Sequence, residues 1–524
     1  MNSRDGLPSA ASVTRRSLMI GAAAASAGII GGFPAVSRAQ TAQPKRGGHL
    51  ILGLDTASSS DSIDPAFYTE AYMYTVGFQL FNTLVEIGEN GDLIPSLAES
   101  WEPTRSDASE WRFKIRKGVQ FHNGKELDAK DVIYSLNHHR GADTKSGAKG
   151  QLISITEIRE TAPMEVTVTL AGGNADFPYT LCDYHLGIGP DGGDFTKGIG
   201  TGAFTLENFQ PGVRTLTKRF ENHWNSERGF VDSCETIAMN DATARIAALI
   251  SGQVHIINRL DPKTAQRLSA IPTVKIQRTQ ANTMYCFPMR CDTAPFDNVD
   301  VRQALKHAIN RDMILNNGYS GYGVIGNDTP IAPWNPYYSA DVPQNAYDPD
   351  KARSLMAKAG FSGPIELAVS NNGFPGSVDA AQLFQLSAQA AGIELVVNRV
   401  PSDGYWDDTW MKKPFCASNW SVRPTADAML SLILHSNAPW NETFWKNPAF
   451  DQKLEAARSE LDQTKRKALY HDLQVMLAQE GGELIPIFID QQVASATKVE
   501  GVTSVPGGGD LSGYRIAEKA WLNA

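Results

Sequence analysis

Two kinds of apolar spacing alternate along this chain, and that alternation constrains its fold more than any other feature. His49–Leu54 is a short apolar run of strand type, and residues 111–115 place Trp, Phe and Ile at every second position. Residues 301–313 and 450–461 instead repeat apolar side chains every three or four positions, as one face of a helix does. Strands that alternate with helices in this way favour an α/β fold.

The same patterns predict the limits of individual elements. One helix is predicted over 72–84, and another begins at the cap Asn298 and continues to Met313. Asp128 is in the right place to cap a further helix. Residues 484–489 (LIPIFI) are predicted to form a buried strand, with its proline at an edge or a bulge.

The length of the chain implies more than one compact unit. Its 524 residues exceed what a single hydrophobic core usually holds, so two or three units are expected. No repeat of about 20–50 residues is present, which disfavours solenoids and propellers.

The first 39 residues have the features of an export signal. Arg15 and Arg16 precede an apolar run of small residues, and Ser37-Arg38-Ala39 fits a cleavage site. We interpret residues 1–39 as a twin-arginine signal peptide cleaved near Ala39/Gln40, with an ordinary secretory signal as the alternative. The mature protein is therefore expected in the periplasm.

The net charge and the absence of catalytic motifs argue against several functions. The net charge of −9 disfavours nucleic-acid binding, which requires a basic face. The catalytic nucleophile elbow, the zinc-protease motif, the P-loop and the calcium loop are all missing from the sequence. We therefore expect no enzyme activity, no cofactor and no metal site.

Five cysteines are too few for a disulfide scaffold. Cys286 and Cys416 both lie in apolar, strand-like runs, so either a disulfide between them or two buried thiols is consistent with the sequence. Neither a redox dithiol nor a structural zinc site is indicated, because no Cys-x-x-Cys occurs.

Six short sequence motifs that occur in a fixed order are the most specific feature of the sequence. They are NTLVE at 82–86, LIPSLAESW at 93–101, FKIRKGVQFHNG at 113–124, LDAKDVIYSL at 127–136, GTGAF at 200–204 and PFDNVDVRQAL at 295–305. Together they resemble the family 5 extracellular solute-binding proteins of bacterial ABC importers, the peptide, nickel and opine cluster. The resemblance covers about residues 47–520.

This resemblance implies a periplasmic-binding-protein-like α/β fold of type II, cluster C: two hinged lobes with an extra inserted lobe. Lobe I would comprise residues 41–85, 198–285 and 495–524, lobe II residues 86–197, and lobe III residues 286–494. The solute would bind between lobes I and III.

The resemblance also selects residues 416–427 as the first candidate for the binding site. Peptide-binding members of the family show a Trp followed three residues later by an Asp that takes the amino group of the ligand. Trp420 is kept here, whereas Arg423 replaces that acid. A guanidinium favours a carboxylate and repels an ammonium group, so we predict that Arg423 contacts an anionic part of the solute. The alternative is an ion pair of Arg423 with Asp427 or Asp403.

Other candidate ligand-binding residues are chosen because they would border the cleft between lobes I and III. They are Asn282, Tyr285, Trp406 and Trp440, together with Asp427 from the first segment. Aromatic residues at such places serve either ligand stacking or core packing.

The resemblance implies a receptor, expected to be monomeric, that binds a peptide or peptide-like solute and delivers it to the ABC transporter permease in the inner membrane. Within this class, a nickel chelate, an opine or a sugar derivative is the alternative cargo. An exported hydrolase and a sensor or chaperone are alternatives from other classes. The hydrolase is disfavoured by the missing catalytic motifs.

Overall fold

The computed structural model describes residues 43–421 and 423–523. The predicted signal peptide and its cleavage site lie outside these residues. None of the described helices is both long and apolar enough to cross a membrane.

The described residues form nineteen strands and fourteen helices, with shorter turns between them. The strands are β1 His49–Leu54, β2 Val85–Ile87, β3 Leu93–Pro95, β4 Ala98–Pro103, β5 Glu110–Ile115, β6 Ile155–Ala162, β7 Glu165–Leu170, β8 Phe204–Gln210, β9 Arg214–Arg219, β10 Ser233–Ala238, β11 Ile256–Ile257, β12 Val274–Cys286, β13 Gly323–Ile325, β14 Ile365–Val369, β15 Leu395–Arg399, β16 Ser418–Ser421, β17 Ile487–Ala496, β18 Val499–Glu500 and β19 Trp521–Leu522. The helices are α1 Ala71–Leu80, α2 Ala129–His138, α3 Phe177–Thr180, α4 Ala242–Ile250, α5 Pro262–Leu268, α6 Val299–Ala308, α7 Arg311–Met313, α8 Pro349–Ala359, α9 Ser377–Ala390, α10 Tyr405–Asp408, α11 Ala426–Ile433, α12 Pro448–Ser459, α13 Gln463–Glu480 and α14 Ile516–Lys519.

The largest sheet has nine strands in the order β16-β12-β17-β11-β1-β10-β9-β8, and β13 also pairs with β17. Strand β1 is parallel to both of its neighbours, and the other pairs are antiparallel. The long strands β12 and β17 change register between Thr279 and Thr283. Asp490 holds this irregularity, because its carboxylate accepts the Ala281 N–H at 2.9 Å and pairs with Arg278.

A second sheet, β4-β5-β7-β6, is antiparallel and carries its own apolar core. Trp111, Phe113 and Ile115 of β5 point into that core, as the two-residue spacing predicted. Asp128 caps α2, and Asp131 completes a reciprocal capping box. The alternation within β5 and the cap of α2 were therefore predicted correctly.

A third core surrounds the parallel pair β14-β15 and the helices α6, α8 and α9. Its centre includes Val301 and Leu305 of α6 and Phe384 of α9, all buried. The apolar stripe read from the sequence is thus the face that α6 presents to this core.

Three predicted elements have different bounds in the structure. The helix predicted over 72–84 stops at Leu80, because the Gly202 N–H donates to the Leu80 carbonyl as the chain enters the next segment. The helix predicted to reach Met313 breaks after Ala308, where Asn310 caps the short α7. The strand predicted over 484–489 begins only at Ile487 and continues to Ala496.

Candidate functional site

Residues 418–421 form an edge strand of the large sheet. Strand β16 is the last strand on that edge and pairs with β12, so that Trp420 lies opposite Met284. The chain then leaves the sheet, and Thr425 caps α11 by accepting the Ala428 N–H at 3.2 Å. Arg423 therefore lies in the short connection between an edge strand and a capped helix.

Trp420 is part of a row of four tryptophans. Ring centroids are 5.6 Å apart for Trp406 and Trp410, 6.1 Å for Trp410 and Trp420, and 5.9 Å for Trp420 and Trp440. The two ends of the row are open to solvent, with Trp406 42% and Trp440 45% exposed. We call these four residues the tryptophan row. It presents aromatic surface at both ends around a partly buried centre.

Arg423 is partly buried and forms an N–H hydrogen bond to the Ser421 carbonyl at 3.2 Å. Neither Asp427 nor Asp403 forms an ion pair with it in the described part of the chain, where Asp427 pairs with Arg458 instead, at 3.0 Å. Burial lowers the pKa of Arg423, while nearby Tyr184, Asp183 and Tyr74 offset part of that effect. These groups, the Asp183 carboxylate among them, therefore act electrostatically on the guanidinium, and no ion pair with it is formed in the described residues.

Three tyrosines from distant parts of the sequence pack together, and two of them, Tyr74 and Tyr184, act electrostatically on Arg423. Tyr74 and Tyr184 stack with centroids 3.5 Å apart, and Tyr514 meets them at 5.1 and 6.3 Å. Burial raises the pKa of Tyr74 to about 12 and that of Tyr184 further, so both rings remain neutral. They offer hydroxyl groups and apolar faces without adding charge.

The remaining predicted site residues are engaged in packing. Asn282 donates to Gln491 at 2.8 Å and accepts the Gly507 N–H at 3.1 Å, so it links β12, β17 and the C-terminal segment. Tyr285 is buried against Phe374, with stacked rings 4.5 Å apart. The structure therefore groups Trp420 with Trp406 and Trp440, and it places Asn282 and Tyr285 apart from that row.

Asp427 is also satisfied within its own region. Besides Arg458, it accepts a hydrogen bond from Ser431 at 3.1 Å. Burial raises the pKa of Asp427, and Arg458 counteracts this. Its contacts hold α11 against α12.

A cavity of about 190 Å³ lies beside the Arg423 connection, with Pro424 and Thr425 in its wall. Asp176 and Arg466 also line it. This volume is below the usual range for a pocket that encloses a small organic ligand, roughly 300–1,000 Å³. The tryptophan row and the three tyrosines are therefore better candidates for solute contact than this cavity.

Sequence reasoning missed Trp410, Glu442 and the three tyrosines. Glu442 has a weak signal, because it lies in an aromatic-rich loop, WNETFW, at 440–445. Tyr74 and Tyr184 have none, because only folding brings residues more than 230 positions away from Arg423 close to it.

Asp510 is a buried acid beside this surface. It is 4% exposed, and its Oδ1 atom has no hydrogen-bond partner among the described residues. It precedes a left-handed turn in which Leu511, Ser512 and Tyr514 all have positive φ. Burial and the nearby Asp55 raise the pKa of Asp510 to about 7. The folded protein therefore holds a proton here that an unfolded chain would release near pH 4.

We expect Asp510→Asn to stabilise the protein at pH 8 by roughly 1–3 kcal/mol. Because the folded pKa exceeds the unfolded one, the wild type loses stability as pH rises from about 4 to 7, and the amide does not. Urea unfolding of both proteins at pH 5 and pH 8 measures this. The prediction fails if the difference between the two proteins is the same at both pH values.

The sequence is similar to a known protein family and to individual binding proteins. The family model for bacterial extracellular solute-binding proteins, family 5 Middle, matches residues 92–464. The chain is 26% identical to the dipeptide-binding protein of Escherichia coli (strain K12) over 476 residues, which are 82% of this chain and 87% of that protein. It is 23% identical to the nickel-binding periplasmic protein of the same strain, over 85% of this chain and 90% of that protein.

A solved structure shows the same fold. The periplasmic binding protein DppA from Helicobacter pylori, in complex with the peptide STSA, superposes with a TM-score of 0.72. The match covers 92% of this chain and 99% of that chain at 22% identity. The predicted periplasmic-binding-protein-like α/β fold is confirmed.

Proposed function

Since the chain belongs to the bacterial extracellular solute-binding proteins, family 5, we propose that it captures an anionic peptide or peptide-like solute and delivers it intact to an ABC transporter permease. The solute would bind between lobe I (41–85, 198–285 and 495–524) and lobe III (286–494), with 86–197 as the inserted lobe II. The proteins compared above are named for what they bind, in keeping with a receptor that performs no chemistry.

The observation that carries this proposal is the environment of Arg423. Its guanidinium is acted on by Tyr184, Asp183 and Tyr74. Asp427 pairs with Arg458 instead of Arg423, and the Asp183 carboxylate is engaged by His185 and Gln151. A partly desolvated guanidinium binds a carboxylate through two parallel N–H bonds, which makes the contact strong and directional. The charge of the solute at this point is therefore proposed to be negative.

Capture requires the two lobes to close around the solute. Strands β12 and β17 cross between the proposed lobes at 285/286 and 494/495, and these two crossings are the proposed hinge. A shift from mostly open to mostly closed needs about 5.5 kcal/mol of differential affinity. A charge-assisted pair at Arg423 and stacking on an aromatic surface supply interactions of that order.

Trp420, Trp406 and Trp440 are proposed to contact an apolar or aromatic part of the solute. The exposed ends of the tryptophan row favour this role over packing alone. Asn282, Tyr285 and Asp427 are proposed to support the site through the strands and helices that they join.

The place of action is proposed from the N-terminal pattern. A twin-arginine signal peptide over residues 1–39 would export the protein to the periplasm, where we expect a monomer that meets its permease at the inner membrane. Blocking of export by Arg15→Lys/Arg16→Lys would support the twin-arginine route.

The direct test is titration calorimetry with N-acetyl-Ala-Phe, which has a carboxylate and no ammonium group, and with its C-terminal amide. We expect Arg423→Ala to weaken binding of the acid about 10- to 150-fold, the value of a charged hydrogen bond of roughly 1.5–3 kcal/mol. Arg423→Lys should recover part of the affinity, because the charge remains without the planar fork.

The matched control is Arg353→Ala, since Arg353 is an exposed partner of Asp350. It should leave binding unchanged. Equal affinity of the wild type and Arg423→Ala for the acid would contradict the role of Arg423. Native mass spectrometry of the exported protein tests the wider proposal, which fails if the bound solute is chemically altered on incubation.

A nickel chelate held through its carboxylates is the second candidate cargo, because the same guanidinium suits that charge and a nickel-binding relative is among the proteins compared. Titration with a nickel–histidine chelate separates the two. An opine or a sugar derivative would be recognised by its mass in the native spectrum.

A further inference from the structure

A buried carboxylate supports the centre of the tryptophan row. Glu442 is 2% exposed and accepts the indole N–H of Trp420 at 2.7 Å and that of Trp410. Its Oε1 also lies 3.6 Å from the Cys286 thiol. Because one carboxylate accepts from both central indoles, it sets the orientation of both rings.

A second carboxyl group lies beside Glu442 in the same buried space. Glu483 is 1% exposed, and neither of its oxygens has a hydrogen-bond donor among the described residues. Ligand atoms of Cys286, Glu442 and Glu483 lie within 4.8 Å of one another. Two ionised carboxylates this close and this buried repel each other strongly, so one of them carries a proton.

The hydrogen bonds decide which carboxyl group holds that proton. Glu442 already accepts from two indoles and is therefore the ionised member. Protonated Glu483 then acts as an O–H donor toward Glu442, which satisfies its otherwise unpartnered group. Burial raises the pKa of both groups. The charge of Glu442 adds to the rise at Glu483, which goes well above its usual range, whereas hydrogen bonds from Trp410 and Trp420 counteract the rise at Glu442.

The other titratable groups around the pair are compatible with this assignment. Burial raises the pKa of the Cys286 and Cys416 thiols and of the Tyr405 hydroxyl, so all three remain neutral. All five cysteines are free in the structure, including Cys286 and Cys416, so the predicted alternative of two buried thiols holds here.

Lys306 is a buried cation whose charge counteracts part of the rise in the pKa of Glu483. Its ammonium donates to the carbonyls of Leu477 and Ala478 at 3.1 and 3.3 Å, and burial lowers its pKa to about 8.

We propose that Glu442 is a positioning residue for the tryptophan row and that Glu483, in its protonated form, holds Glu442 in place as a hydrogen-bond donor. The effect on solute binding rests on the proposed function, because it requires the row to contact the solute. The arrangement of the row itself does not require it.

Matched amide substitutions separate the two roles. Glu483→Gln keeps a neutral donor facing Glu442, so it should leave the row unchanged. Glu442→Gln places an N–H group toward one of the two indoles and should disturb the row. The readout is the indole N–H resonances of protein labelled at tryptophan, assigned with Trp410→Phe and Trp420→Phe.

We expect the Trp410 and Trp420 resonances to move in Glu442→Gln and to remain in Glu483→Gln. Affinity for N-acetyl-Ala-Phe should fall at least tenfold in the first variant and by less than twofold in the second. Unmoved resonances in Glu442→Gln would overturn the positioning role. Moved resonances with unchanged affinity would support it and would instead contradict contact between the row and the solute.

Infrared difference spectra between the wild type and Glu483→Gln test the proton directly. The wild type should show the C=O stretch of a protonated carboxyl that the variant lacks, and the other buried acids cancel in the difference. Absence of that band would overturn the assignment. One equivalent of metal in the wild type that is lost in both Glu483→Gln and Cys286→Ser would also overturn it, because the three residues would then be metal ligands.

Discussion

Replacing Arg466 with alanine is expected to lower the free energy of unfolding by about 3–5 kcal/mol. The Arg466 guanidinium is 2% exposed and forms two parallel bonds of 2.7 Å to Asp176. It also donates to the Tyr337 hydroxyl at 2.9 Å and the Ala457 carbonyl at 2.8 Å. The loss is large because the substitution leaves the Asp176 charge buried without a partner.

Urea unfolding followed by circular dichroism and by fluorescence measures this loss, and agreement between the two signals checks that one transition is observed. The double variant Asp176→Ala/Arg466→Ala should lose less than the sum of the single variants, since no unpaired charge remains. Lys114→Ala is the control, because Lys114 and Glu99 form an exposed pair worth about 1 kcal/mol or less. A loss below that of Lys114→Ala would contradict the prediction.

The Arg466–Asp176 pair also tests the proposed lobe boundaries. Asp176 lies in the segment 86–197, proposed as lobe II, and Arg466 lies in α13, within the segment proposed as lobe III. If those boundaries are right, the pair joins the two lobes, and hydrogen exchange in Arg466→Ala should increase on both sides of the contact.

Replacing Asp328 with alanine is expected to cost a similar amount, about 3–5 kcal/mol. Both Asp328 oxygens lie 2.8 Å from one nitrogen of Arg311, and both side chains are almost wholly buried. Asp328 also accepts from Asn345 at 2.8 Å and from the Ile485 N–H at 2.9 Å. Removing the Asp328 carboxylate therefore takes an acceptor from the Arg311 guanidinium, the Asn345 amide and the Ile485 N–H.

Asp350→Ala is the matched control, because Asp350 pairs with Arg353 on the surface. Its effect should stay within about 1 kcal/mol. Thermal unfolding of the wild type and both variants at one pH decides the matter. Equal midpoints for Asp328→Ala and Asp350→Ala would show that burial of the Asp328 pair contributes nothing.

Local patterns predicted elements whose residue types and spacing signal them within a few positions. Strand β1 has the predicted limits His49–Leu54, and Asp128 caps α2 as expected. The same reasoning failed where a distant segment ends an element. The end of α1 at Leu80 and the start of β17 at Ile487 depend on such contacts, which periodicity does not contain.

For the candidate site, too, some features followed from the sequence and others only from the folded structure. The order of the six motifs led to residues 416–427, and the arginine at position 423 led to the prediction of an anionic solute. The absence of an ion pair between Arg423 and Asp427 was not predictable, because it depends on Arg458 reaching Asp427 from α12.

The sequence by itself determined the family resemblance, the α/β class and the replacement of an acid by Arg423, because these depend on residue identity and order along the chain. Only the tertiary structure decided that Tyr74 and Tyr184 lie near Arg423 and that Glu442 holds two indoles. Such contacts join residues from tens to several hundred positions apart. Their hydrogen bonds and charges exist only after folding has removed water from between them.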